Sequence, residues 1–166
     1  MEPDLAKRVA SVKTLLAEIH HAAIATVNED GSPHNNPVFM AFDHQLNGYW
    51  GSHPESVHSK NIAHTGQVYI VLFDSRAGHV GLYIEAQAEM LTNQADIDEA
   101  WEVTNRAKTS FGVPMSLPEQ YVGDAPQRFY RARPLKLWVN KSERDESGAI
   151  IRDHRIEITL EDLANA

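Results

Sequence analysis

One run of the chain carries the residues best suited to chemistry. It is GYWGSHPESVHSKNI, Gly48 to Ile62, in which a strand end at Trp50-Gly51-Ser52-His53 precedes a short helix bearing His58, Ser59 and Lys60. A strand that ends in Gly and Ser and passes into a helix offers backbone N–H groups, hydroxyl donors and an ammonium to a single anion. That donor set suits a phosphate monoester. In this reading Gly51 lets a ligand approach the backbone closely, Ser52 and Ser59 donate hydrogen bonds, and Lys60 brings charge on a flexible stem. The competing reading is a capped surface helix with a solvated lysine.

The other chemistry-bearing residues point less sharply. No GxGxxG follows a strand, and GxxxxGK[ST], GxSxG and HExxH are absent, which removes the main support for dinucleotide, phosphate-loop, hydrolase-elbow and zincin chemistry. His53 and His58 are five apart and His58 and His64 six apart, not the three or four that put two ligands on one helix face. They read as surface or phosphate-neighbour histidines, with a single axial haem ligand as a minor alternative. His154 falls on an apolar strand face, where packing is the expectation. Trp101 and Phe111 fit a core stripe. Arg128, Arg131, Arg133 and Lys136, interleaved with Phe129 and Tyr130, superficially suggest a nucleic-acid strand, but an ion-paired strand face is the better reading.

Periodicity supplies the elements that must position these groups. Leu5, Val9, Val12, Leu16 and Ile19 recur at helical spacing and predict an amphipathic helix over 4–20 that ends at the His20-His21 pair, where a cation suits the negative helix terminus. Ala22 to Val27 reads as a strand, Asn28 to Ser32 as a hairpin turn, Asn36 to Phe42 as a second strand, and 49–52 as a third after the turn at Asp43 to Gly48. A helix is predicted over 54–65, with Pro54 in its first turn and Val57, Ile62 and Ala63 facing inward. Val68 to Phe73 is an apolar run expected to be covered on both faces. Residues 82–90 alternate as a barrel wall should. A helix over 95–109, a Pro-containing connection over 112–126, a strand from Phe129 to Lys141 and a last strand from Ile151 to Leu160 follow. About seven strands in hairpin succession with two or three helices predict an α+β fold built on an antiparallel barrel or a strongly curved sheet, in one domain.

Composition sets the outer bounds. The 166 residues are 42% apolar and carry a net charge of −8, which argues against a broad nucleic-acid surface. There is no Cys, hence no disulfide, thiolate metal site or thiol nucleophile. MEPDLAKR has no apolar signal core and no stretch reaches membrane-span length, so a soluble cytoplasmic protein without a membrane partner is expected.

Taken in order, AAIATVNEDG, GSPHNNPVFMAF, DHQLNGYWGSH, SKNI, QVYIVLF and YIEAQAEML resemble the FMN-binding split β-barrels similar to pyridoxamine 5′-phosphate oxidase, over about residues 5–92. The resemblance implies a flavoprotein oxidoreductase acting on a small molecule, as a homodimer of split barrels with FMN in a groove between subunits. It implies that Lys60 meets the phosphate, with Ser52, His53 and Ser59 as neighbouring phosphate or ribityl contacts. Asn36, Pro37 and Val38 would border the ring, Trp50 would lie near the ring or ribityl chain, and Trp138 would approach from the partner subunit. Gln87 shares a polar face with Tyr83 and Glu85 and faces either the cofactor groove or solvent. The flavin-contacting Gln of the family aligns with Gly81, and the RQxRxEG-like strand and C-terminal Arg-Leu motif of authentic pyridoxamine-phosphate oxidases have no counterpart. The resemblance therefore implies the cofactor rather than vitamin B6 oxidation. A deazaflavin coenzyme fits the same groove, and a non-catalytic carrier, store or sensor is the alternative from another class.

Overall fold

The computed structural model describes residues 3–76 and 80–165. In chain order the elements are α1 (Pro3–Glu18), β1 (His21–Val27), β2 (Pro33–Phe39), β3 (Ala41–Phe42), β4 (Gly48–Ser52) and α2 (Val57–Thr65). They continue with β5 (Gln67–Phe73), β6 (Gly81–Met90), α3 (Gln94–Ser110), a 3-10 turn (Pro118–Tyr121), β7 (Arg128–Arg144), β8 (Ile150–Ile158) and α4 (Leu160–Ala164). The described strands form one antiparallel sheet in the order β2-β1-β5-β6-β7-β4-β3, with β8 also paired to β7. This is an α+β split barrel.

The long β7 makes the split. Its first residues, Arg128 to Ala132, pair with β4, while Leu137 to Arg144 pair with β8, and β6 runs along its other edge. A register shift at Glu85/Ala86, opposite Pro134, bends the β6–β7 wall where the proline cannot donate to the ladder. The alternation predicted for β6 holds as far as Ala88: Leu82, Ile84, Ala86 and Ala88 are buried with Ile24, Ile70, Leu72 and Trp50 inside the barrel, whereas Met90 is exposed. Val9, Val12 and Leu15 of α1 join that core.

Several expectations are corrected. α1 stops at Glu18, and His20 is buried between Phe39 and Phe111 with neither ring nitrogen hydrogen-bonded among the described residues, so His20 does not cap that terminus. Burial, followed by the neighbouring His21, holds the His20 pKa below its usual value. The second strand breaks at Met40, whose N–H turns to the His20 carbonyl. β5 is covered on one face only: Tyr69 and Val71 are half-buried and Phe73 is exposed. Phe111 is half exposed and lies over His20 rather than in the core. Leu160 begins the unforeseen α4, where Thr159 and Asp162 cap each other.

The basic run is consumed by structure. Arg128 donates to the carbonyls of Gly123, Ala125 and Gln127. Arg131 is buried and meets Asp96 at 2.8 Å and Glu89 at 2.9 Å, tying the first turn of α3 to the sheet. Arg133 also pairs with Glu89. Among the described residues, no helix is long and apolar enough to cross a membrane.

Candidate functional site

The barrel has an open seam. Among the described residues β2 pairs only with β1, and the Gly51–Ser52 end of β4 only with β7, so the facing edges of β2 and β4 are not hydrogen-bonded to each other. A cavity of about 390 Å³ occupies this seam. β2 lines it with Asn36 to Phe39, and β4 and the following turn line it with Gly51, Ser52 and His53. Six of the residues singled out in the sequence therefore meet here. Its size lies within the usual range for small-molecule sites.

α2 starts three residues later than Pro54 suggests, because Pro54 belongs to a turn closed by the Ser56 N–H on the His53 carbonyl. Ser56 occupies the N-cap without capping. Its hydroxyl instead donates to Ser59 Oγ at 2.8 Å and lies 3.1 Å from Ser52 Oγ. His58 Nε2 completes the cluster, 2.9 Å from Ser52 Oγ. Burial, with a smaller contribution from His34, lowers the His58 pKa, so a neutral imidazole is favoured. The inward face of α2 is polar: His58, Ser59 and Asn61 are buried with Ile62, whereas Val57 and Ala63 are exposed, contrary to expectation. Asn61 compensates by donating to Thr26 Oγ1 and Asn28 Oδ1, both at 2.9 Å, which seats the helix on β1. The first amides of a helix have no intrahelical acceptor. Three hydroxyls beside those amides, at the positive end of the helix dipole, form a donor set that fits a phosphate monoester.

α3 and the 112–126 connection supply a further wall, which the local sequence pattern did not disclose. Thr104 and Lys108 of α3 and Tyr121 of the connection line the same cavity. Ser116 holds the connection down: its N–H donates to Asn105 Oδ1, its carbonyl accepts from Trp101 Nε1, and its hydroxyl contacts Lys108 Nζ and Tyr121 Oη. The Tyr121 ring stacks on Phe129 at 3.7 Å and packs over Gly51, where an added Cβ would come within 2.6 Å of the ring. The missing side chain at position 51 thus makes room for Tyr121.

A sequence profile described as pyridoxamine 5′-phosphate oxidase matches residues 9–141. The chain belongs to that family. No curated protein matches it. Among solved structures, the pyridoxamine 5′-phosphate oxidase family fold recurs in a heme binding protein from Mycobacterium smegmatis, 15% identical, with a TM-score of 0.67 over 99% of this chain and 62% of that one. A protein related to general stress protein 26 (pyridoxinephosphate oxidase family) from Clostridium acetobutylicum is 12% identical, with a TM-score of 0.62 over 92% and 96% of the two chains. An F420 reductase is 19% identical, with a TM-score of 0.58 over 75% and 94%.

Other residues singled out in this family member lie apart from the seam. Lys60 Nζ is 2.9 Å from Glu55 at the surface, and its side chain is 60% exposed. That ammonium draws the Glu55 pKa down. Ser59 and Gln87 both line a neighbouring hollow on the far flank of α2, with Gly66 and Tyr130. Trp50 is wholly buried in the barrel core, stacked on Tyr130. Trp138 pairs with Tyr83 across the sheet and packs near Tyr69, ten residues along β7 from the Arg128 that pairs with Ser52.

Proposed function

We propose that the protein is an FMN-dependent oxidoreductase that works as a homodimer, with the cofactor lying in the seam and reaching the neighbouring subunit. The observation that carries this reading is the hydrogen-bonded group at the start of α2, in which Ser52, Ser56 and His58 line the seam cavity and Ser59 backs them, in a chain of this family. Bound FMN would supply hydride or electron transfer to or from a small molecule.

The chain's own residues then bind and orient. The hydroxyls and the first amides of α2 hold the phosphate, while Asn36, Pro37 and Val38 border the ring. Lys60 needs only to leave Glu55, an exposed and solvent-screened ion pair, to reach the same anion. Trp50 supports β4 from within the core, and Gln87 and Trp138 act at the subunit boundary. The apolar outward face of the sheet, with Tyr69, Val71 and Phe73, offers a surface for a second copy.

The test titrates the apo chain with FMN and with riboflavin, alongside a mass measurement in solution. FMN binding much more tightly than riboflavin, to a dimer, supports the reading, and equal affinities remove the phosphate site. Lys60→Ala should weaken FMN binding by roughly ten- to a hundredfold, the worth of one charge-assisted contact, with riboflavin unaffected. Bleaching of the flavin bands by NAD(P)H separates an enzyme from a carrier. The likeness in fold to an F420 reductase makes a deazaflavin the second reading, tested by the same titration with F420.

A further inference from the structure

The lysine that lines the seam is not the one singled out in the sequence. Lys60 points to Glu55 and solvent, whereas Lys108 lines the cavity from α3 and is partly buried. Among the described residues no carboxylate pairs with Lys108. Its one polar partner is the Ser116 hydroxyl, and burial alone lowers its pKa. One turn earlier, Thr104 is 2% exposed, lines the same cavity, and has a hydroxyl with no hydrogen-bond partner among the described residues. An ammonium withdrawn from water without a countercharge and a buried hydroxyl without a partner are both costly in isolation. Both costs fall when one anionic group sits between them. The two residues share a helix face, four positions apart.

We infer that Lys108 and Thr104 form an anion-recognition point on the α3 wall of the seam, taking an anionic oxygen group, phosphate or carboxylate, of the molecule that enters the cavity. This deepens the proposed function and rests on the seam being its binding site. The group has two possible sources, the phosphate of the cofactor or a carboxylate of the substrate, and both present the same chemistry to a lysine point charge beside a hydroxyl donor. Ser116 and Tyr121 fix the lysine from behind, so the connection over 112–126 helps to set its position.

The test compares the full-length wild type with Lys108→Met, Lys108→Arg and Thr104→Val. Methionine keeps an apolar stem of similar length, so Lys108→Met should melt no lower than wild type when no anion is added. Thermal shifts in inorganic phosphate and in benzoate need no flavin. The wild type should be raised by at least one of these anions, and Lys108→Met should lose that rise while Lys108→Arg keeps most of it. Dissociation constants for FMN and riboflavin then assign the source. A tenfold or greater loss for FMN with riboflavin unchanged identifies the cofactor phosphate. Unchanged FMN affinity with loss of the benzoate response identifies a substrate carboxylate. Thr104→Val should show the same pattern more weakly. Anion responses equal in wild type and Lys108→Met, or equal losses for FMN and riboflavin, overturn the inference. If the wild type binds no flavin, the cofactor reading fails while the anion shifts still decide the role of Lys108. If Lys108→Met does not fold, Thr104→Val and Lys108→Arg carry the same comparison.

Discussion

Gly51→Ala tests whether the backbone at the seam is bare for a ligand or for a neighbouring ring. A Cβ at 51 would stand 2.6 Å from Tyr121 Cε1 and 3.3 Å from its hydroxyl oxygen. Ordinary carbon contacts lie near 3.5–4.0 Å, so the ring must retreat by about 1 Å. It cannot do so freely. Gly51 and Phe129 are cross-strand partners, and the ring rests on both while Ser116 Oγ holds its hydroxyl at 3.0 Å. Retreat loosens the stack and lengthens that hydrogen bond. An overpacked site of this kind costs about 1–3 kcal/mol. For a chain of this length a loss of roughly 2 kcal/mol lowers the melting temperature by about 4–8 °C. In a Tyr121→Leu background the added methyl meets no rigid ring, and its further cost should fall below about 0.5 kcal/mol. Urea unfolding of the four proteins in the cycle measures the coupling. Additive costs would refute the packing account. So would an FMN affinity that drops equally with Gly51→Ala in both backgrounds, since Gly51 would then be serving the ligand.

Two further outcomes follow from buried groups. Arg131→Ala leaves Glu89 and Asp96 facing each other at the base of α3 without their cation, and should cost about 3 kcal/mol in urea unfolding, at the lower end for a broken buried pair because both carboxylates reach water. His20 gives a pH signature. Its folded pKa is held below the ordinary 6.5 by burial, so the unfolded chain takes up a proton first as pH falls. The contribution of His20 to stability is therefore fully present above about pH 6.5 and is lost as pH drops toward the folded value. Melting curves from pH 7.5 to 5 should fall more steeply for wild type than for His20→Leu, and parallel curves would exclude His20. A residual slope is expected from His58, whose shift has the same sign.

The strands were legible because a barrel wall imposes a period of two, and Leu82, Ile84, Ala86 and Ala88 keep it without interruption. The outward face of β5 misled because Tyr69, Val71 and Phe73 are largely apolar although this chain covers them only in part, with Trp138 and Arg155 against Tyr69. At α2, Pro54 advertised a helix start, yet a turn absorbs it and Ser56 is the true N-cap. Its buried face is polar, which no hydrophobic period can reveal. α4 did carry a local signal, the Thr159–Asp162 pair, within a segment that continued the strand alternation.

The seam shows the same division between local and distant information. Ser52, His53 and Ser59 sit in one short run, and their spacing alone suggested an anion site. Thr104 and Lys108 lie about fifty residues further on, in a helix whose pattern advertises only its core stripe. They reach the cavity because α3 is fastened at both ends: Arg131 grips its first turn, and Ser116 ties its last turns to the connection that passes over Gly51. Neither anchor has a sequence period, since each joins groups that only the folded sheet brings together. A lysine placed by such anchors faces the seam whether or not a ligand is present, whereas Lys60, held only by an exposed partner, is free to follow the ligand in. On the proposed function, the two cations would divide the work of binding between a fixed recognition point and a mobile one. Replacing the fixed one should alter which anions are accepted, while replacing the mobile one should alter chiefly how tightly they are held.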